Sequence, residues 1–208
     1  MSLFDPDGKF MQITSTMLDY VKLGLLFMLC SIPMIPMGAA AAAAMTVGMK
    51  IARGEAPDVW KPFWTAFKSN FRQGTILFLF FALIFALLGF DWYQVMQMES
   101  TTVVRVVRAG IVLLTILITS IALYSFAVIA RYELPIKAVV RNAVIYTLLY
   151  FPKNLLTVAF IALGILTYSY FVNLIPLVVA VIPALTIWYF SKTCVQVFHT
   201  AERKQAED

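Results

Sequence analysis

The sequence predicts an all-α integral membrane protein with five transmembrane helices. Three observations carry this. Of its 208 residues, 62% are hydrophobic and 13% charged, where a soluble domain has roughly 45–50% and 25%. Charge-free runs recur at the length of a bilayer crossing, about 20 residues. Lysine and arginine gather in alternate connections between those runs.

The chain opens with Asp5 and Asp7 against a single Lys9, which lacks the basic head and small-residue cleavage site of a signal peptide. The first apolar run, Leu23 to Met49, is therefore expected to be retained as span one. Pro33 and Pro36, followed by Gly38, remove helical hydrogen bonds and exclude a straight rod. Two readings of this break stand. One is a kinked, tilted helix whose freed carbonyls are satisfied by neighbours; the other is a discontinuous helix whose ends line a substrate site. Ala39 to Ala44 have the small side chains that let another helix approach closely.

Trp60, Phe63, Trp64, Phe67 and Phe71 follow at helical spacing, with Lys61, Lys68 and Arg72 elsewhere around the helix. This predicts an amphipathic cytoplasmic helix lying at the interface, aromatic face toward lipid. The alternative is a docking surface on which the same aromatics are contact anchors. Span two is Gln73 to Phe90, and an outer loop with Asp91, Trp92, Tyr93 and Glu99 joins it to span three, Ala109 to Ala130. A second amphipathic segment follows from Pro135. The last charge-free run, Asn154 to Ser191, would exceed about 50 Å as one straight helix. It is expected to fold back over Tyr168 to Asn173, ahead of Pro176, which makes span four and a fifth span at 175–191.

The inner connections hold Lys50, Arg53, Lys61, Lys68, Arg72, Arg131, Lys137, Arg141 and Lys153, and the tail holds Lys192, Arg203 and Lys204. Only Lys9, Lys22, Arg105 and Arg108 fall on the other side. The cytoplasmic excess of cations that orients membrane proteins predicts a multi-pass plasma-membrane protein with its amino terminus outside and its carboxyl terminus in the cytoplasm.

Ile51-Ala52-Arg53-Gly54-Glu55-Ala56-Pro57 returns as Ile129-Ala130-Arg131-Tyr132-Glu133-Leu134-Pro135. Phe67-Lys68-Ser69-Asn70-Phe71 has a counterpart in Phe151-Pro152-Lys153-Asn154-Leu155. Both pairs sit at inner ends of spans. This predicts one membrane domain over 1–208, built from parallel repeat halves 20–92 and 105–170 and the fifth span. Arg53 with Glu55, and Arg131 with Glu133, stand two apart and would not face each other on a helix. End-capping is their default reading, and pairing across the repeat axis the alternative.

No acidic, basic or histidine side chain lies inside a predicted span, which disfavours a proton-driven pump. No phosphate loop or paired carboxylate is present, and His199 stands alone in the tail. No enzyme activity, catalytic residue, metal site or cofactor is expected. Cys30 and Cys194 read as core residues. The net charge of +5 comes from cations beside apolar runs, which points to anionic lipid and away from nucleic acid.

Leu29-Cys30-Ser31-Ile32-Pro33 with Gly38 and the alanine run, Arg53-Gly54-Glu55, Phe63 to Gln73, and Arg131-Tyr132-Glu133 with Arg141-Asn142-Ala143 together resemble the YesL-like bacterial membrane proteins. Members of that family are uncharacterised domains, and the resemblance implies a bacterial plasma-membrane protein accessory to carbohydrate uptake. The function expected is a non-enzymatic accessory that binds a transporter permease or sensor. Its candidate interaction residues are Trp60, Phe63, Trp64, Phe67, Arg53, Glu55, Arg131, Glu133, Asn70 and Asn154. The competing expectation is a small uncoupled transporter or channel, a homo-oligomer, with its path beside Pro33, Pro36 and Gly38.

Overall fold

The computed structural model describes residues 9–55, 58–170 and 175–207. These form eight helices: α1 (Lys9–Ser31), α2 (Met37–Ala52), α3 (Trp60–Ser69), α4 (Phe71–Met96), α5 (Thr102–Arg131), α6 (Ile136–Leu149), α7 (Phe151–Tyr170) and α8 (Ile175–Glu207). Ile13–Ser31, Phe71–Met96, Thr102–Arg131 and Val181–Arg203 are each long and apolar enough to cross a membrane. The bent pair α6 and α7 makes a fifth crossing if counted as one span. The outward faces of α4 and α5 expose Leu79, Leu83, Leu87, Val106 and Leu113, as a lipid-facing surface requires. The all-α membrane architecture is thus the one the composition dictates.

The helix break falls where the prolines put it, and it goes further than a kink. Had α1 and α2 continued in one direction, Tyr20 and Gly48 would lie about 40 Å apart. Instead the Tyr20 hydroxyl donates to the Gly48 carbonyl at 3.1 Å. The chain reverses over Ile32 to Pro36, with Met34 in the left-handed region at φ 56, and α1 and α2 form an antiparallel hairpin. Ile32, Met34 and Ile35 at its tip are all exposed, and none is polar.

The reversal changes the expected topology. Counting 23–49 as one crossing placed the start of the chain opposite Lys50. In the structure Asp19 and Lys22 border the same groove as Asp58 and Trp60, so α1 starts at the end of the bundle where α2 stops. Glu202 near the end of α8 pairs with Arg131 at the end of α5, which brings the carboxyl-terminal part of the chain to that end as well.

α4 and α5 form a second hairpin. Thr101 accepts from the Val104 amide to cap α5, satisfying one of the free donors of the first turn. Arg108 donates to the carbonyls of Val95 at 3.1 Å and Met98 at 3.4 Å, where the negative end of α4 attracts a cation. α7 packs on α8 as the third pair. The turn expected over 168–173 begins too early, since 168–170 are still helical in α7; its remaining residues fall in 171–174, which lie outside the described residues. Ala56 and Pro57 of the repeated heptapeptide lie outside them too.

The short helix α2 occupies the centre, in contact with α1, α3, α4, α5 and α8. Its alanines at 39, 40, 42 and 43 have no exposed surface, because only small side chains allow this many neighbours to approach one helix. The tightest approach is Gly38 against Gly74 at the start of α4. A Cβ on Gly74 would sit 2.8 Å from the Ala39 amide nitrogen, and one on Gly38 would collide with the Gly74 carbonyl. Tyr20 also shares a hydrogen bond with Ser191 of α8 at 3.2 Å, tying α1, α2 and α8 at one level.

Candidate functional site

The basic end of the bundle is built by two connections of the same plan. After Ala52 the chain turns at Gly54 (φ 76), a conformation open to glycine without steric cost. α3 then runs back along α2 until Gly74 meets Gly38 at the other end of that helix. After Arg131 the chain likewise turns, and α6 runs back along α5, its Tyr146 ring 6.1 Å from Tyr124. Each return ends in a break, at Asn70 and at Tyr150. Across each break an asparagine amide reaches back to the preceding helix: Asn70 Nδ2 to the Ala66 carbonyl at 2.9 Å, and Asn154 Nδ2 to the Thr147 carbonyl at 3.1 Å. α6 and the first part of α7 meet at 95°.

The aromatic helix does not lie wholly on lipid. Phe63 is completely buried and Ala66 nearly so against the bundle, so Phe63 is a core residue and not a contact anchor. Trp64 and Phe67 are half-buried. Trp60, 56% exposed, sits edge-on to Trp64 with ring centroids 6.0 Å apart. The ladder continues from Trp64 to Phe67 at 5.5 Å and from Phe67 to Phe71 at 5.7 Å. Beside Trp60 lies a groove of about 480 Å³ lined by Asp19, Lys22, Leu25, Leu29 and Asp58.

On the other side of α3 a larger groove of about 770 Å³ separates α3 and the start of α4 from the end of α5. Lys50, Lys61, Thr65, Ser69, Asn70, Gln73, Arg131 and Glu133 line it. Gln73 Nε2 donates to the Leu134 carbonyl at 2.6 Å and the Thr46 hydroxyl to the Ala130 carbonyl at 3.3 Å, so polar side chains of the first connection clamp the end of α5. Asn154, by contrast, is buried at the α6–α7 break and is not brought to this groove.

Neither arginine of the repeated motif pairs as its spacing suggested. The helix ends before Arg53, and the turn folds its Nε onto Glu55 at 2.7 Å. That hydrogen bond holds the Glu55 carboxyl below the ordinary range. Arg131 binds both carboxylate oxygens of Glu202, at 2.9 and 3.1 Å; Glu202 belongs to α8, far away in sequence. The Tyr132 hydroxyl donates to the same carboxylate at 2.8 Å. Burial, with that hydrogen bond, pushes Tyr132 up to about 12.

Pro33 and Pro36 mark the reversal, and Gly38 serves the α2–α4 crossing; none of the three lines either groove. An apolar cleft of about 560 Å³, lined by Phe27, Met45, Phe81, Phe126, Pro183 and Phe190 among others, opens between α1, α2, α4, α5, α7 and α8. Among the described residues no three of His, Cys, Asp and Glu gather as a metal site would need. Sequence reasoning placed Lys50 and Lys61 in an inner connection without the groove they line, and it did not bring Gln73 or Glu202 to the basic end. The polar stripe Lys61, Thr65 and Ser69, four apart on the helix, was the available signal for the groove.

The family described as "Protein of unknown function, DUF624" matches residues 20–92, the stretch from Tyr20 to the end region of α4. YesL-like proteins belong to that family. No curated protein and no solved structure matches the chain.

Proposed function

We propose that this chain is a non-enzymatic accessory of a bacterial plasma membrane that docks a membrane partner, a permease or sensor, on its basic end. The observation that carries this reading is Trp60: an exposed tryptophan at the tip of a packed aromatic ladder, above a groove of mixed charge and leucine. Tryptophan in such a position is the residue that most often anchors an interface. Association with carbohydrate uptake is carried by the family resemblance alone.

The same reading assigns the basic end to the cytoplasm, since it collects the lysines and arginines of both connections. With the α1–α2 reversal, both the start of α1 and the end of α8 belong on that side. It also takes the chain as one domain made by duplication, the helix-return-helix units α2–α3–α4 and α5–α6–α7 being the copies.

The competing channel gains little from the reversal. The tip of the hairpin is apolar and exposed, and Gly38 is closed against α4, so the break offers no polar path. The test is co-purification of the native chain and of a Trp60→Ala, Trp64→Ala variant with membrane partners. Retention of a permease or sensor by the native chain, weakened in the variant, supports docking. Solute flux in liposomes holding the purified protein alone, with no partner retained, overturns it.

A further inference from the structure

The apolar cleft among α1, α2, α4, α5, α7 and α8 is a site of its own, and Trp60 does not line it. Its wall is made of aromatic rings, methionines and small side chains, with Met28, Met45, Phe81 and Phe126 among them. Of the described residues on that wall Thr186 alone is polar, and its hydroxyl already donates to the Ile182 carbonyl at 2.9 Å. The wall therefore has no polar side chain set to hold a hydrophilic solute. Water gains no partners there, and apolar cavities in proteins stay dry. An empty space of this size would leave the lining without dispersion contacts.

The cleft is continuous with the lipid-facing surface. On three helices a lining residue stands directly beside one exposed to the bilayer: Met28 beside Leu29 on α1, Phe78 beside Leu79 on α4, and Thr186 beside Leu185 on α8. Acyl chains are thus the medium at its mouth. A helix of a second copy is too thick to enter. The cleft follows α2 from Met37 to Met45, about 12 Å at the helical rise. Spread over that length, a volume of about 560 Å³ gives a cross-section of roughly 45–50 Å², where a helix about 10 Å across needs roughly 80 Å². A hydrocarbon chain is thinner and bends, and the unbranched, flexible methionines adapt to its shape.

We infer that this cleft holds an acyl chain of a bilayer phospholipid, inserted from the side among the six helices with its headgroup left outside. Since the chain passes from one hydrocarbon medium to another, its retention comes from the packing of the wall around it.

The test uses the full chain in phosphatidylglycerol and phosphatidylethanolamine vesicles that contain a phospholipid with a photoreactive group midway along one acyl chain. After illumination, peptide mass spectrometry maps the labelled residues. The expected result is label on Phe81 and Phe126 inside the cleft as well as on Leu79 and Leu83 outside it. Ala41→Phe and Ala82→Phe put a ring into the cleft, because both alanines line it. Each should lower the ratio of label at Phe126 to label at Leu83 about tenfold, as displacement of a few methylenes from their contacts implies. Leu87→Phe, on the exposed side of α4, should leave that ratio unchanged. Label confined to the outward face overturns the inference, whether the cleft is closed or a second copy covers it. An unchanged ratio in both alanine variants overturns it too. The map of the native chain stands without any variant, so a substitution that fails to fold does not remove the test.

Discussion

The two connections of this bundle follow one path with opposite chemistry inside it. In α2–α3–α4 the interior position is Phe63, and most nearby polar groups have partners, Thr46 on Ala42 and Ala130, Gln73 on Leu134, Asn70 on Ala66; the Thr75 hydroxyl on α4 is buried without one. In α5–α6–α7 the interior positions are Thr147, Asn154 and Thr157. The Thr147 and Thr157 hydroxyls and the Asn154 Oδ1 are buried without a protein partner, as is the hydroxyl of Tyr124 nearby on α5. The contrast is sharp because other threonines and serines of the helices, including Thr115, Thr119, Ser125 and Thr186, donate to the carbonyl one turn back. Backbone packing differs likewise. Gly74 lets α4 touch α2, whereas the corresponding place in the second unit is Val158. A backbone course can thus be shared while one copy is locked by packing and the other gathers most of the unpaired polar groups.

That comparison can be broken most forcefully at Phe63. Phe63→Ala should lower stability by about 4 kcal/mol through lost burial and a cavity, read by thermal or denaturant unfolding in micelles. Thr147→Val at the matching place should be neutral, or stabilising by up to about 1 kcal/mol, since its hydroxyl has no partner to lose. Equal losses at both would dissolve the distinction. Gly74→Ala should cost about 1–3 kcal/mol, because its methyl meets backbone that cannot move aside. Gly89→Ala on the same helix, with open space around it, should change little. Thr46→Val should destabilise by about 1 kcal/mol by releasing its bonds to Ala42 and Ala130, the opposite sign to Thr147→Val.

The smallest effect concerns pH at the Arg131, Tyr132 and Glu202 cluster. The Arg131–Glu202 ion pair exists only while the carboxylate is ionised, so its contribution is lost as pH falls through the carboxylate range. Tyr132 is raised to about 12; its contribution is full below about pH 10 and is lost toward 12. The pair is partly exposed, so screening limits the acid-side effect to about 1 kcal/mol or less. Glu202→Gln should remove the acid-side dependence, and an unchanged unfolding profile between pH 6 and 3 in the native chain would exclude it.

Much of this was legible in the sequence because a bilayer constrains composition and run length so strongly. The apolar runs at 73–90 and 109–130 lie within α4 and α5, and the aromatic spacing announced α3. The direction of the chain after Pro36 was not legible. Two prolines require a break, but only the partners of Tyr20 and Gly48 decide between a bend and a reversal, and hydropathy does not encode that pairing. Phe63 was misread as a possible anchor because amphipathicity gives a face without saying what covers it; here α2 does. Arg131 was read as capping its helix end or pairing across the repeat axis, while its partner Glu202 arrives on α8 through tertiary folding.

Single-cysteine accessibility labelling tests the reversal and the gathering of basic connections most directly. With Cys30 and Cys194, both buried, replaced by alanine, cysteines placed at Ile13, Lys68 and Lys137 should react from one side of the membrane and one at Ser100 from the other. Reaction of Ile13→Cys from the side of Ser100→Cys, opposite Lys68→Cys, would mean that α1 and α2 form a single crossing, and the hairpin would be wrong.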